Sequence, residues 1–298
     1  MTPPAGIGQV ALAADQVVLR FGGIVALDGV SIEAAPGEIH GVIGPNGAGK
    51  TSLLDVLSGI TPLTEGRVLL GGEDVTRRRA VGRARLGLRR TFQRQQLFGW
   101  LSVEDNLMVP LEWHGGGGGV LADLLALPTR RRRERERRAR VDELLELFGL
   151  REARKEPAGS LPIGHARLLE LARALIDRPR VVLLDEPTSG LHVHETATVG
   201  KAIEDATAAD GCAVVLVEHD VPFVMRHSAR VTVLHLGQVL AQGTPTEVRE
   251  IKEVREAYLG TSVEALERLE AGVEAEIDGK QAGVGVRAEL DETYGGSR

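Results

Sequence analysis

The sequence predicts an α/β protein built on a mostly parallel sheet, and three observations carry that prediction. Short, largely apolar runs recur at Ile39–Ile43, Val181–Leu184, Ala213–Val217 and Val231–Leu234. Such runs suit strands buried on both faces of a parallel sheet. Helix-period stretches separate them, giving the βαβ alternation that needs crossover connections. A glycine-rich loop, Gly44-Pro45-Asn46-Gly47-Ala48-Gly49-Lys50-Thr51, joins the first of these strands to the first helix.

Taken in order, residues 1–12 read as a flexible tail. Gln16–Phe21 and Val30–Glu33 read as short strands linked by the turn-rich run FGGIVALDG. After the Ile39–Ile43 strand, Lys50–Gly59 has helical spacing, with Leu53, Leu54 and Leu57 on one face. Gly66–Leu70 is a further strand, and GGEDVT a hairpin-like turn. From about Arg77 to Gly159 the β signals fade and helix formers take over, around a five-glycine run at Gly115–Gly119. There Val141, Leu144, Leu145 and Phe148 form an i, i+3, i+4, i+7 stripe. The βα texture returns with a helical pattern at Arg167–Asp177 and the three strands from Val181 onward. The expected layout is a flexible tail over 1–12, a main domain over 13–260 with a helical subdomain at about 94–160, and a partly helical, partly disordered extension over 261–298.

Composition narrows the function. The chain has 298 residues, a formal net charge of −6 and a single cysteine, Cys212. One cysteine excludes a disulfide scaffold and a Cys-based zinc cluster, and Cys212 itself reads as a small core residue. The acidic balance argues against a general nucleic-acid binder. The mixed Arg/Glu run Arg130–Arg140 reads as a solvated helix face. No apolar run approaches the roughly 18 residues of a membrane span. The expectation is a chain in a cytoplasmic setting.

The chemistry sits in the loop and in two strand ends. Gly44 to Thr51 matches G-x-x-x-x-G-K-[ST]. Its glycines let backbone N–H groups face phosphate oxygens, and the helix behind it presents a positive N-terminus. Lys50 then reaches the terminal phosphates, and the Thr51 hydroxyl is a Mg²⁺ ligand. Lysine is rare here, the others being Lys155, Lys201, Lys252 and Lys280, which sharpens the case for Lys50. Asp185, closing the strand Val181–Asp185, can hold Mg²⁺ through water. Glu186 can polarise a water for in-line attack on a γ-phosphate.

Together these motifs resemble the ATP-binding-cassette ATPases, a P-loop fold with a mixed-sheet core, a small antiparallel β subdomain and an inserted α-helical subdomain. The resemblance covers roughly residues 15–260. It implies ATP and Mg²⁺ as cofactors, with Gly44 through Ser52 as the phosphate cradle. It places Gln93, in RTFQRQQLF, at the Q-loop glutamine that links Mg²⁺ and the attacking water to the helical subdomain. Ser189-Gly190-Leu191-His192 occupies the D-loop. His219, in VEHD, occupies the position of the switch histidine, and Phe21 that of the aromatic residue that stacks on adenine. The run Leu161-Pro162-Ile163-Gly164-His165 stands where the family has its signature L-S-G-G-Q, keeping Gly164 as a contact to nucleotide. Pro162 replaces the signature serine and has neither hydroxyl nor N–H. That departure leads us to expect two unequal composite sites.

A narrower similarity, carried by RFGGIVALDGVS, RTFQRQQLFGWLSVEDNL and REAYLG, is to the ATPase subunits of branched-chain amino-acid importers. It implies a second ATPase subunit, two transmembrane permease subunits, an indirect substrate-binding protein and a peripheral place at the cytoplasmic face of the inner or plasma membrane. Phe98 and Trp100 fall where the family docks its permease. An exporter ATPase of the lipid or lipopolysaccharide type and a non-transport cassette are the alternatives.

Overall fold

The computed structural model describes residues 10–93, 96–113 and 128–254. The chain divides into two compact units, residues 1–249 and 250–298. Only residues 250–254 of the second unit are described. The glycine run at 115–119 and the extension over 261–298 lie outside the described residues.

The first unit opens on a long antiparallel hairpin. Strand β1 (Leu12–Phe21) pairs with β2 (Ile24–Ala34), and Phe21 lies opposite Ile24 across a turn at Gly22-Gly23. Ala11 and Leu12, at the end of the expected 1–12 tail, are buried, and the Ala11 N–H donates to Ala34 O. The run FGGIVALDG is likewise mostly strand. Its glycines and Asp28 imitate a longer turn, but only Gly22-Gly23 reverses the chain, and the remaining irregularity is absorbed as register shifts along β1. Strands β4 (Glu65–Leu70) and β5 (Glu73–Asp74) complete a four-stranded antiparallel sheet in the order β2-β1-β4-β5.

The second sheet has the order β10-β9-β3-β8-β7-β6. Strands β3 (Ile39–Ile43), β7 (Val181–Asp185) and β8 (Ala213–Val217) are buried at every residue, as the sequence predicts. They run parallel with β9 (Arg230–His235) and with β6 (Leu88–Arg90). Strand β10 (Gln238–Gly243) turns back antiparallel at the edge. Strand β6 lies inside the stretch read as helical. It is three residues long and two are arginine, so only its pairing with β7 reveals it.

Helix α1 (Lys50–Ser58) lies between the sheets. Its Leu53, Leu54, Val56 and Leu57 join Val181, Leu183, Val215 and Val217 of one sheet and Leu19, Leu27 and Val68 of the other in one core. Gly59, at φ 75, ends the helix by donating to Asp55 O and Val56 O. A short helix α2 (Ala80–Arg85) precedes β6. Helices α3 (Val103–Trp113) and α4 (Pro128–Leu147) form the predicted helical stretch. The stripe Val141, Leu144, Leu145 and Phe148 is fully buried. An ion-pair knot holds this stretch together. Glu104, in the first turn of α3, accepts from Arg154 at 2.6 Å and from Lys155, while Arg154 also reaches Asp142 of α4 at 2.5 Å. Helix α5 (Ile163–Leu175) leads into β7, α6 (Val193–Asp210) into β8 and α7 (Val221–His227) into β9. Cys212, just before β8, is buried, and burial pushes its thiol up to about 12.

Candidate functional site

The phosphate loop is the connection between β3 and α1. Gly49 caps α1 at φ 103, and a Cβ there would lie 2.7 Å from Ala26 O. Only glycine fits both the left-handed backbone and that approach. The loop is closed by the Ala48 N–H donating to Pro45 O at 3.1 Å and the Leu53 N–H to Gly49 O at 2.8 Å. Lys50 is buried at the head of α1, and its ammonium donates to Gly44 O at 2.5 Å and Pro45 O at 3.0 Å. Burial pulls its pKa down, and the nearby carboxylates of Glu186 and Asp185 oppose that shift. Thr51 is exposed and Ser52 half-buried in the first turn of the same helix, next to Lys50.

Asp185 ends β7 with its side chain only 2% exposed. Its N–H donates to Thr91 Oγ1 at 3.3 Å, and Arg90 Nη2 donates to its Oδ2 at 3.3 Å. Arg90 also reaches Asp55 Oδ1 at 2.6 Å and Ser58 Oγ at 3.0 Å on α1. Asp185 Oδ1 is buried with no hydrogen-bond partner among the described residues. Burial raises its pKa, Arg90 pulls it back, and Glu186 and Asp55 push it up again. A buried carboxylate oxygen without a partner, close enough to Lys50 to act on its charge, is a donor that fits a hydrated magnesium ion.

Glu186 follows at φ 51, a left-handed conformation for a non-glycine residue, with its N–H donating to Val217 O at 2.8 Å. Two predicted partners converge on its Oε1. Gln93 Nε2 donates to it at 3.1 Å, and His219 Nε2 stands 2.7 Å away. Residues separated by more than ninety positions in the sequence thus meet on one oxygen. Glu186 Oε2 has no hydrogen-bond partner among the described residues, which leaves it available to a water.

The sequence reading missed the residues that hold this cluster. Glu218 is buried, and its Oε1 accepts from the Thr188 N–H at 2.7 Å and the Thr188 hydroxyl at 2.6 Å. Its Oε2 accepts from the His219 N–H at 3.0 Å, so Glu218 ties the histidine strand to the segment after Glu186. Burial raises its pKa against those donors. A carboxylate closing the apolar run VVLVEHD was the available signal. Arg90 was equally visible in RRTFQ, but its reach to Asp185 needs the β6–β7 pairing.

Phe21 closes β1 and is 54% exposed, with Ile24 and Val25 also exposed beside it. Gly164 lies in the first turn of α5, behind Pro162, whose side chain makes no capping hydrogen bond. A Cβ on Gly164 would fall 1.8 Å from Glu195 Oε1 of α6. The same Glu195 accepts the His192 N–H through Oε2 at 2.8 Å. Phe98 and Trp100 face one another at 6.3 Å between ring centroids, and Trp100 is 83% exposed.

A glycine loop running from a parallel strand into a helix, with acidic residues closing the parallel strand two places along the sheet, defines a P-loop nucleotide hydrolase. The chain belongs to the ABC transporter family of ATP-binding proteins, whose pattern matches residues 27–189. Its reaction is ATP hydrolysis. A second match, described as branched-chain amino acid ATP-binding cassette transporter, covers residues 238–264. The chain is 36% identical over 254 residues to the high-affinity branched-chain amino acid transport ATP-binding protein LivG of Escherichia coli K12, spanning 85% of this chain and 99% of that one. It is 37% identical over 244 residues to the corresponding protein BraF of Pseudomonas aeruginosa, spanning 82% and 95%. Among solved structures, a nucleotide-free ATP-binding cassette from an ABC transporter is similar with a TM-score of 0.70 at 28% identity, covering 84% of this chain and 98% of that one. An ADP-bound cassette gives a TM-score of 0.69 at 28% identity, with 85% and 99% covered.

Proposed function

We propose that this chain is the ATP-hydrolysing subunit of an importer for branched-chain or other hydrophobic amino acids. The convergence of Gln93 and His219 on Glu186, beside the Lys50 loop, carries the catalytic part of that reading. The relatives' printed roles and the match at residues 238–264 support the import part and favour it over export or a non-transport cassette.

In this reading the backbone from Gly44 to Thr51 and the Lys50 ammonium bind the phosphates, and Phe21 stacks on the adenine. Thr51, Gln93 and Asp185 hold Mg²⁺, directly or through water. Bound magnesium supplies charge neutralisation across the phosphate oxygens. Glu186 orients and deprotonates the attacking water through its open Oε2, while Gln93 and His219 fix the carboxylate through Oε1. Two transmembrane permease subunits, a second ATPase subunit and a substrate-binding protein complete the assembly at the cytoplasmic face of the membrane. None of the described helices is long and apolar enough to cross a membrane. Phe98 and Trp100 present an aromatic pair to the permease.

The two composite sites of the ATPase pair are unequal. The site built on this chain's own loop keeps Glu186 and His219. The site completed by this chain's LPIGH lacks the serine hydroxyl, and Glu195 stands at its Gly164. The test is phosphate release and fluorescent-nucleotide binding in the reconstituted pair. Glu186→Gln is expected to lower turnover by ~100-fold with nucleotide still bound. The matching substitution in the partner is expected to cost less. Equal losses would remove the asymmetry, and a Glu186→Gln chain that still turned over would remove the assigned base.

A further inference from the structure

The loop that carries Gln93 is gripped on both flanks by one turn of α5. Arg167 Nη1 donates to Phe92 O at 3.0 Å, and its Nη2 donates to Gln93 O at 2.5 Å. Three residues on, Glu170 Oε1 accepts the Gln96 N–H at 3.2 Å, and Glu170 Oε2 lies 3.4 Å from Arg167 Nη1. The two side chains are 13% and 4% exposed, while Gln93 at the far end of the clamp is exposed. Neither touches Glu186, Asp185 or Lys50.

We propose that Arg167 is a positioning residue for hydrolysis: it fixes the backbone at Gln93 so that the Gln93 amide reaches Glu186, and so makes the first turns of α5 and the catalytic cluster one mechanical unit. A planar guanidinium with two parallel donors can hold two successive carbonyls, which a lysine ammonium does not do with the same directionality. With the carbonyls of Phe92 and Gln93 both pinned, the two peptide groups that flank the Gln93 Cα are held, and with them the origin of the Gln93 side chain. Glu170 holds Arg167 from behind and ties down the far side of the loop at Gln96. The same helix begins at Ile163-Gly164, next to Glu195 of α6. A displacement of the N-terminal turn of α5 therefore reaches the Gln93–Glu186 contact through Arg167, without passing through the core of the sheet.

This inference rests on the reading of Gln93 as part of the catalytic cluster, and a double-mutant cycle separates the two. ATP hydrolysis is measured on the reconstituted ATPase pair, its partner subunit unchanged, for wild type, Arg167→Met, Gln93→Ala and the double variant of this chain. Arg167→Met is expected to lower kcat by ~10-fold, with KM for ATP within about two-fold, because the misplaced group acts in the reaction and not in binding. In the Gln93→Ala background the same substitution is expected to cost less than about two-fold. Arg167→Lys recovers part of the loss. Amide exchange in the segment 91–99 rises in Arg167→Met while exchange in β7 and β8 is unchanged, a readout independent of turnover. Full multiplicative losses in the double variant, or an unchanged kcat in Arg167→Met, overturn the inference and leave the site reading standing. A Gln93→Ala chain with wild-type turnover overturns the site reading, and this inference with it.

Discussion

Gly164 shows how much one missing methyl group can matter. A Cβ at that position would enter the space held by Glu195 Oε1, and swinging the Glu195 side chain away from it would break the bond from the His192 N–H. That bond has the form of a helix N-terminal cap, so its loss costs about 1 kcal/mol. Gly164→Ala is accordingly expected to lower the melting temperature by about 2–4 °C. Glu195→Ala should show a similar drop, and the double variant little more, as calorimetry on the three can check. At this scale the sequence was informative wherever a motif fixed the chemistry. Lys50, Gln93, Asp185, Glu186 and His219 all fall within one cluster. It was silent on Arg90 and Arg167, because their partners Asp185, Phe92 and Gln93 lie in other segments and no spacing along the chain encodes those meetings.

Among the elements, the helical stretch is held by electrostatics as well as by its apolar stripe. The hydrogen bonds from Arg154 and then Lys155 hold the Glu104 carboxyl down to about 2, against an ordinary 4.5. A carboxylate with a depressed pKa stabilises the fold above its unfolded value, and that contribution is lost as pH falls through the folded one. Glu104→Gln should therefore melt below wild type at neutral pH. The gap should close as pH drops from about 4.5 toward about 2, which thermal melts across that range would show. Periodicity made the stripe on α4 legible, since Val141 to Phe148 repeat at helical spacing. It could not reveal β6, whose two arginines carry no strand signal, nor the full length of β2, whose Asp28-Gly29 reads as a turn until the hairpin partner is present.

Across the whole first unit, the two sheets are joined by a buried histidine. His40 of β3 contacts Glu33 O of β2 through Nδ1 and Thr232 Oγ1 of β9 through Nε2, both at 2.8 Å. Burial lowers its pKa to about 4, with Glu33 O opposing the shift. The folded protein keeps this ring neutral while the unfolded chain protonates it near 6.5, so stability present above 6.5 is lost as pH falls toward 4. His40→Leu should melt lower than wild type at neutral pH, yet lose less of its melting temperature between pH 6.5 and 4. Unfolding curves at several pH values would decide it. The architecture itself was legible from apolar strands alternating with helices around the phosphate loop. The seam between the sheets was not, because IHGVI reads the same whether its histidine faces solvent or another sheet.

The lone thiol of Cys212 has a practical consequence for following this molecule at work. It is buried and held protonated far above neutral pH, so the native chain is already a blank background for sulfhydryl labelling. A cysteine introduced anywhere on the surface would be the only one to take up a maleimide dye or spin label. Distances across the α5 clamp could then be tracked through a catalytic cycle without first stripping native cysteines and rebuilding the core around their loss.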